Sequence, residues 1–127
     1  MQAIEHYQVF IVDPDTAIRD SVALLLENAD VEVFGFEDGK SFLTNHAAHA
    51  RGCLLVESSL PDSSGMSLIS KLRAMGNDIP ALLLTSSTDS ELASRVADMG
   101  VAGIVRKPLR SQQLLDQVEF LRHAGKS

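Results

Sequence analysis

The chain has 127 residues, 45% of them apolar, which suits one domain with one core and excludes wholesale disorder. A formal net charge of −6 makes the domain a poor binder of nucleic acid or acidic membrane. No apolar run approaches the ~20 residues of a membrane span, the start MQAIEHYQ does not read as a signal peptide, and the single cysteine, Cys53, fits a reducing compartment, so the cytoplasm is the expected location.

Five short apolar runs alternate with amphipathic stretches. The first, Tyr7 to Val12 (YQVFIV), leads into Asp13-Pro14, read as a helix N-cap followed by proline at the first helical position. Ile18, Val22 and Leu25 then recur at i, i+4 and i+7. The second run, Val31 to Phe36 (VEVFGF), alternates as an edge strand does. The third, Cys53 to Glu57 (CLLVE), is almost continuously apolar, as expected of a strand covered on both faces. A Pro-Asp-x-x-Gly turn follows from Pro61 to Gly65, and then the helical spacing Leu68, Leu72, Met75. The fourth run, Ala81 to Thr85 (ALLLT), precedes Thr88-x-x-Glu91, which reads as a capping box. Leu92, Val96 and Met99 follow, with Gly100 as a helix stop. The fifth run, Gly103 to Lys107 (GIVRK), precedes Leu114, Val118 and Leu121. Each triplet defines one buried helix face. Strict alternation over one domain predicts an α/β fold, a parallel sheet with helices on both faces. The polar end, His123 to Ser127, is read as a plain tail or the start of a linker.

In an open parallel sheet, ligands collect at the carboxyl ends of the strands. This chain turns polar there. Asp13 and Asp15 follow the first strand, Glu57 ends the third, Thr85 and Ser86 close the fourth, and Lys107 ends the fifth.

Together, Glu57 after its apolar run, the Pro61–Gly65 turn, the Thr85-Ser86 pair and the Lys107-Pro108 pair resemble the receiver domain of two-component response regulators, of the FixJ type. The stretch Ile18 to Glu27, Gly52-Cys53-Leu54 and Leu60-Pro61-Asp62-x-x-Gly65 carry that flavour. The resemblance runs from about Val9 to Leu121. It implies a single three-layer (βα)5 doubly wound domain with a five-stranded parallel sheet in the order 2-1-3-4-5. The receiver would span residues 1–127, with its core at about 7–123. Asp13 then matches the first of two adjacent magnesium-binding acids, and Pro14 stands where the second belongs. Glu57 matches the phosphoacceptor, an aspartate in the family. Ser59 matches the residue whose carbonyl completes the metal site. Thr85 matches the hydroxyl that binds the phosphoryl group, Ser86 the small residue beside it, and Lys107 the lysine that pairs with the acceptor. Pro108 would follow a cis peptide bond. Ile104 matches the switch position, usually aromatic.

The departures have physical consequences. Pro14 supplies no side-chain oxygen, whereas magnesium needs near-octahedral oxygen ligands. Glu57 reaches about 1 Å past the usual acceptor position, and a misplacement of that order costs roughly 100-fold in rate. Its longer carboxylate extends toward Thr85 and Lys107 as a partial mimic of a phosphate. A structural ion pair between Glu57 and Lys107 is an equally good reading. Asp13 also reads as a helix cap, Asp15 as a first-turn acid favoured by the helix dipole, and Thr85 and Ser86 as the start of a turn. Cys53 reads as a small core residue. His6, His46, His49 and His123 lack zinc spacing and read as surface residues.

The leading expectation is an atypical, phosphorylation-independent receiver that is not an enzyme. It would act on a protein partner or as a homodimer through the face formed by residues 88–123, where Leu115 and Phe120 lie off the core stripe or widen it. Any DNA-binding output domain lies outside this chain, and the domain itself contacts neither nucleic acid nor membrane. No cofactor is firmly implied; Mg2+ binding is expected to be weak. The alternatives are a receiver slowly phosphorylated at Glu57 and a flavodoxin-like module that senses a small anion or nucleotide.

Overall fold

Residues with apolar side chains on both sides of a strand belong in the middle of a sheet, and the chain obeys this rule. A computed structural model describes residues 7–27, 30–46, 49–88 and 91–124. Strands and helices alternate: β1 (Tyr7–Val12), α1 (Thr16–Leu25), β2 (Val31–Phe36), α2 (Gly39–His46), β3 (Cys53–Glu57), α3 (Gly65–Ala74), β4 (Ala81–Thr85), α4 (Leu92–Ala97), β5 (Val101–Arg106) and α5 (Ser111–Ala124). The sheet order is β2-β1-β3-β4-β5, and every pairing is parallel. This is the doubly wound α/β fold anticipated, with the alternating second run at an edge.

Period-two alternation divides each inner strand between two cores. Val9, Ile11, Cys53, Leu55, Leu82 and Leu84 pack with Val22 of α1 and with Leu114, Val118 and Leu121 of α5. Phe10, Val12, Leu54, Val56, Ala81 and Leu83 face Phe42 of α2, Leu68, Ile69 and Leu72 of α3, and Leu92 and Val96 of α4. The edge strand β2 is held by aromatic contacts. Phe10 stacks on Phe34 at 5.3 Å between centroids, and Phe42 meets Phe10 and Phe36 edge-on at 5.5 and 5.4 Å. At the entry to β3, Gly52 has φ +113°, and a Cβ there would lie 1.9 Å from the Gln8 carbonyl oxygen, so only glycine fits.

Several local expectations need correction. Helix α1 starts at Thr16, and its N-cap is Asp15, whose carboxylate accepts from the Ala17 N–H. Neither Asp13 as cap nor Pro14 as first helical residue survives, because the Asp13 side chain is turned inward to a charged partner. Asp15 is therefore the cap rather than a first-turn acid. Met75, the C-cap of α3, is 54% exposed, and Ile69 joins Leu68 and Leu72 on the buried face instead. Strand β5 begins two residues earlier than expected, directly after Gly100, whose φ of +74° turns the chain out of α4. Helix α4 begins at Leu92; the Thr88–Glu91 capping box falls partly on residues 89–90, which lie outside the described residues, and Glu91 makes no side-chain cap bond. His6, the side chain of His46 and residues 125–127 also lie outside them. His49 and His123 are exposed, as expected of surface histidines.

Burial lifts the Cys53 thiol to about 11, against an ordinary value of 9.0, with the neighbouring Tyr7 hydroxyl partly opposing the rise. The Tyr7 hydroxyl is raised well above its usual range, first by burial and then by the Cys53 thiol beside it. Both groups are neutral when folded and ionise more readily when unfolded. The thiol's contribution is complete below pH 9.0 and is lost as pH rises toward about 11, whereas that of Tyr7 is complete below pH 10.0 and is lost only above it. For the thiol this amounts to about 2–3 kcal/mol. Urea denaturation between pH 8 and 11 should show this alkaline loss shrinking in Cys53→Ala and shrinking again in a Tyr7→Phe, Cys53→Ala double variant.

Candidate functional site

The parallel ladder extends one residue past the ends of its strands. The Asp13 N–H donates to the Phe36 carbonyl at 2.9 Å, Ser58 N–H to Leu84 at 2.8 Å and Lys107 N–H to Thr85 at 2.8 Å. These bonds hold the residues at the carboxyl edge in register, so their side chains meet although they are far apart in sequence. The Lys107–Pro108 peptide bond is cis.

Three charged groups form the centre. The Lys107 ammonium donates to Asp13 Oδ2 at 2.8 Å and lies 3.3 Å from Glu57 Oε1. The side chains of Asp13, Glu57 and Lys107 are 1%, 12% and 15% exposed. The remaining carboxylate oxygens are also engaged. Asp13 Oδ1 accepts from the Asp15 N–H at 2.9 Å, and Glu57 Oε2 accepts from the Ser58 N–H at 2.9 Å. Behind the site, Arg19 Nη1 donates to the Asp13 carbonyl at 2.6 Å. Burial alone would lower the Lys107 pKa; the hydrogen bond and charge of Asp13, joined by those of Glu57, outweigh it and hold the ammonium above the usual lysine range.

Thr85 is fully buried beside this cluster but belongs to a different set of bonds. Its Oγ1 accepts from the Ser58 hydroxyl at 2.9 Å and from the Ser87 N–H at 3.0 Å. Glu57 thus meets Lys107, while the Thr85 hydroxyl accepts from Ser58 and Ser87. Ser86 is exposed next to it, Pro14 and Ser59 are exposed at the rim, and Ile104 is half-buried against the α2–α3–α4 core.

The loop after β3 is tightly held. Ser59 and Ser64 form an isolated bridge, and the Gly65 N–H donates to the Ser58 carbonyl at 3.0 Å. A Cβ on Gly65 would lie 2.5 Å from the Glu57 carbonyl oxygen, so glycine permits α3 to start against the strand. Asp62, within the turn, accepts from the Gly39 and Lys40 N–H groups and so caps α2 from across the site.

Sequence reasoning did not single out Ser58 or Arg19, and it named Asp62 only as part of its turn motif. Ser58 had a usable signal, a second polar residue directly after an apolar strand. The roles of Arg19 and Asp62 had none, because each depends on which loop lies opposite.

The donor set does not fit magnesium. Both carboxylates are committed to Lys107 and to backbone N–H groups, position 14 offers no side-chain oxygen, and Asp15 is spent on capping α1. Among the described residues no group of three or more His, Cys, Asp or Glu side chains is arranged to hold a metal ion.

Lys107→Met leaves two nearly buried carboxylates without their cation and should cost about 3 kcal/mol. Ser58→Ala removes one hydrogen bond and should cost about 1 kcal/mol. Urea denaturation at neutral pH checks both the size and the order of the two losses.

Residues 9–119 match the family described as response regulator receiver domain. The transcriptional regulatory protein TdiR of Thauera aromatica is 31% identical over 110 residues, covering 87% of this chain and 48% of TdiR. The transcriptional regulatory protein FixJ of Bradyrhizobium diazoefficiens is 28% identical over 111 residues, covering 87% of this chain and 54% of FixJ. The chain thus spans about half the length of these curated relatives. The solved structure of the response regulator StyR superposes with a TM-score of 0.86 at 30% identity, over 94% of this chain and 61% of that one. With the sheet order, the edge cluster and these matches in agreement, the chain belongs to the receiver domains of two-component response regulators.

Proposed function

We propose that this receiver works without acyl-phosphate chemistry, as a protein-interaction module rather than an enzyme. The observation that carries the reading is the closed hydrogen-bonding of the acceptor position. Glu57 has one oxygen on Lys107 and the other on the Ser58 N–H. Phosphoryl transfer is mainly positioning and charge neutralisation. An acceptor carboxylate that is one methylene longer than aspartate, paired internally and without a fitted metal site is poorly placed for in-line attack. The Thr85 hydroxyl oxygen, meanwhile, accepts from Ser58 and Ser87 and is tied to the neighbouring loops rather than to Glu57. The site then serves as a permanent brace at the sheet edge, and any Mg2+ association is weak.

Signalling then takes place by contact in the cytoplasm, as a homodimer or with a protein partner through α4, β5 and α5. Phe120 on α5 is 68% exposed and supplies apolar surface, whereas Leu115 is half-buried against the core and widens its stripe. TdiR and FixJ are named as transcriptional regulatory proteins and are about twice as long as the matched region, which supports a DNA-binding output unit beyond this domain. The net charge of −6 argues that the domain itself does not touch DNA.

Incubation with magnesium and acetyl phosphate, read by intact mass, should add no phosphoryl group to the wild type. A Pro14→Asp, Glu57→Asp double variant should gain one. A wild-type phosphate mapped to Glu57 would sink the proposal and leave a slow but working phosphoreceiver.

A further inference from the structure

Two largely buried carboxylates at one site must be neutralised or take up a proton. Here the neutralising charge is already part of the chain. The Lys107 ammonium lies 2.8 Å from Asp13 and 3.3 Å from Glu57, and its own backbone N–H is bonded to Thr85 at the end of the neighbouring strand. Each of the four carboxylate oxygens has a donor or cation: Lys107 on one oxygen of each acid, and the Asp15 and Ser58 N–H groups on the others. A magnesium ion bonds oxygen at about 2.0–2.1 Å in a near-octahedral shell. To enter, it would have to displace the ammonium, and the adjacent proline offers it nothing in return.

We propose that Lys107 is the resident cation of the Asp13–Glu57 pair. It makes the folded domain indifferent to divalent metal, and its removal opens a divalent-cation site between the two carboxylates. The disagreement between this donor set and a magnesium site thus has a specific cause: the counter-charge comes from β5, through a side chain, and not from solution. The inference extends the reading of the site given above. Its readouts are metal binding and stability, so it can fail while phosphorylation independence stands.

The test compares wild type with Lys107→Met and with Lys107→Gln, which keeps a hydrogen-bond donor and loses the charge. Thermal unfolding is followed in EDTA and in millimolar MgCl2, and free Mn2+ is titrated by paramagnetic resonance. The wild-type midpoint should be the same in EDTA and in MgCl2. Both variants should start lower, rise with MgCl2, and bind Mn2+ at least about tenfold more tightly than wild type, because a cation at this distance no longer repels the ion. A magnesium-dependent rise in the wild type, or folded variants that bind no more Mn2+ than wild type, would overturn the proposal. Should neither variant fold, the wild-type comparison decides alone: a flat midpoint supports the resident cation, and a rise refutes it.

Discussion

One ammonium group holds together three strand ends. Lys107 follows β5, Asp13 follows β1 and Glu57 ends β3, and the two acids would repel one another without the lysine. Partial burial makes this arrangement costly to break more than it makes it stabilising to have. Desolvating three charges offsets much of their mutual attraction, while removing one partner leaves the full penalty exposed. The backbone bonds just beyond the strands set the same residues in register before any side chain acts. The brace and the ladder therefore depend on each other.

Around that brace, the loops are fastened by separate devices. Asp62 reaches from the β3–α3 turn to the start of α2, and Gly65 allows α3 to begin against the Glu57 carbonyl. Ser58 lies at the junction. Its N–H is shared between the Leu84 carbonyl and Glu57, and its hydroxyl serves Thr85, so it links the charged cluster to the end of β4. On the opposite end of the sheet, Arg73 plays an analogous structural part, donating to the Met99, Asn77 and Gly100 carbonyls and tying α3 to the start of β5. A site fastened in this way favours a single arrangement. Ile104, packed half-buried against the core below the site, adds no aromatic ring that would have to change place.

Family membership and chemistry are separate questions, because a fold does not by itself carry an activity. The receiver architecture depends on the two apolar cores and the sheet order, and these are intact. Phosphoryl transfer depends on a few oxygens within about 1 Å of their proper places. The scaffold therefore stands complete with Glu57 and Pro14 at the edge of the sheet, and it does not by itself decide what that edge offers to a ligand.

Fold class was legible in the sequence because strand and helix periods are local properties. CLLVE and ALLLT declare inner strands, VEVFGF an edge, and Leu114, Val118 and Leu121 a buried face, and all four readings match the burial observed. Membership of the edge cluster was legible for the same reason: a polar residue at the end of an apolar run lies at the carboxyl edge wherever the strands are placed. What each residue does there was not legible. Asp13 looked like a cap until the fold brought Lys107, 94 positions away, within 2.8 Å of it, and Asp15 then inherited the cap. Met75 kept its helical spacing but, at the C-cap of α3, is exposed. Ser58 became a link only when β4 placed Thr85 beside it. Local pattern determines which atoms are polar and which edge they occupy; only the tertiary structure decides which donor meets which acceptor, since that choice is made by strand register and by loops that sequence spacing does not encode.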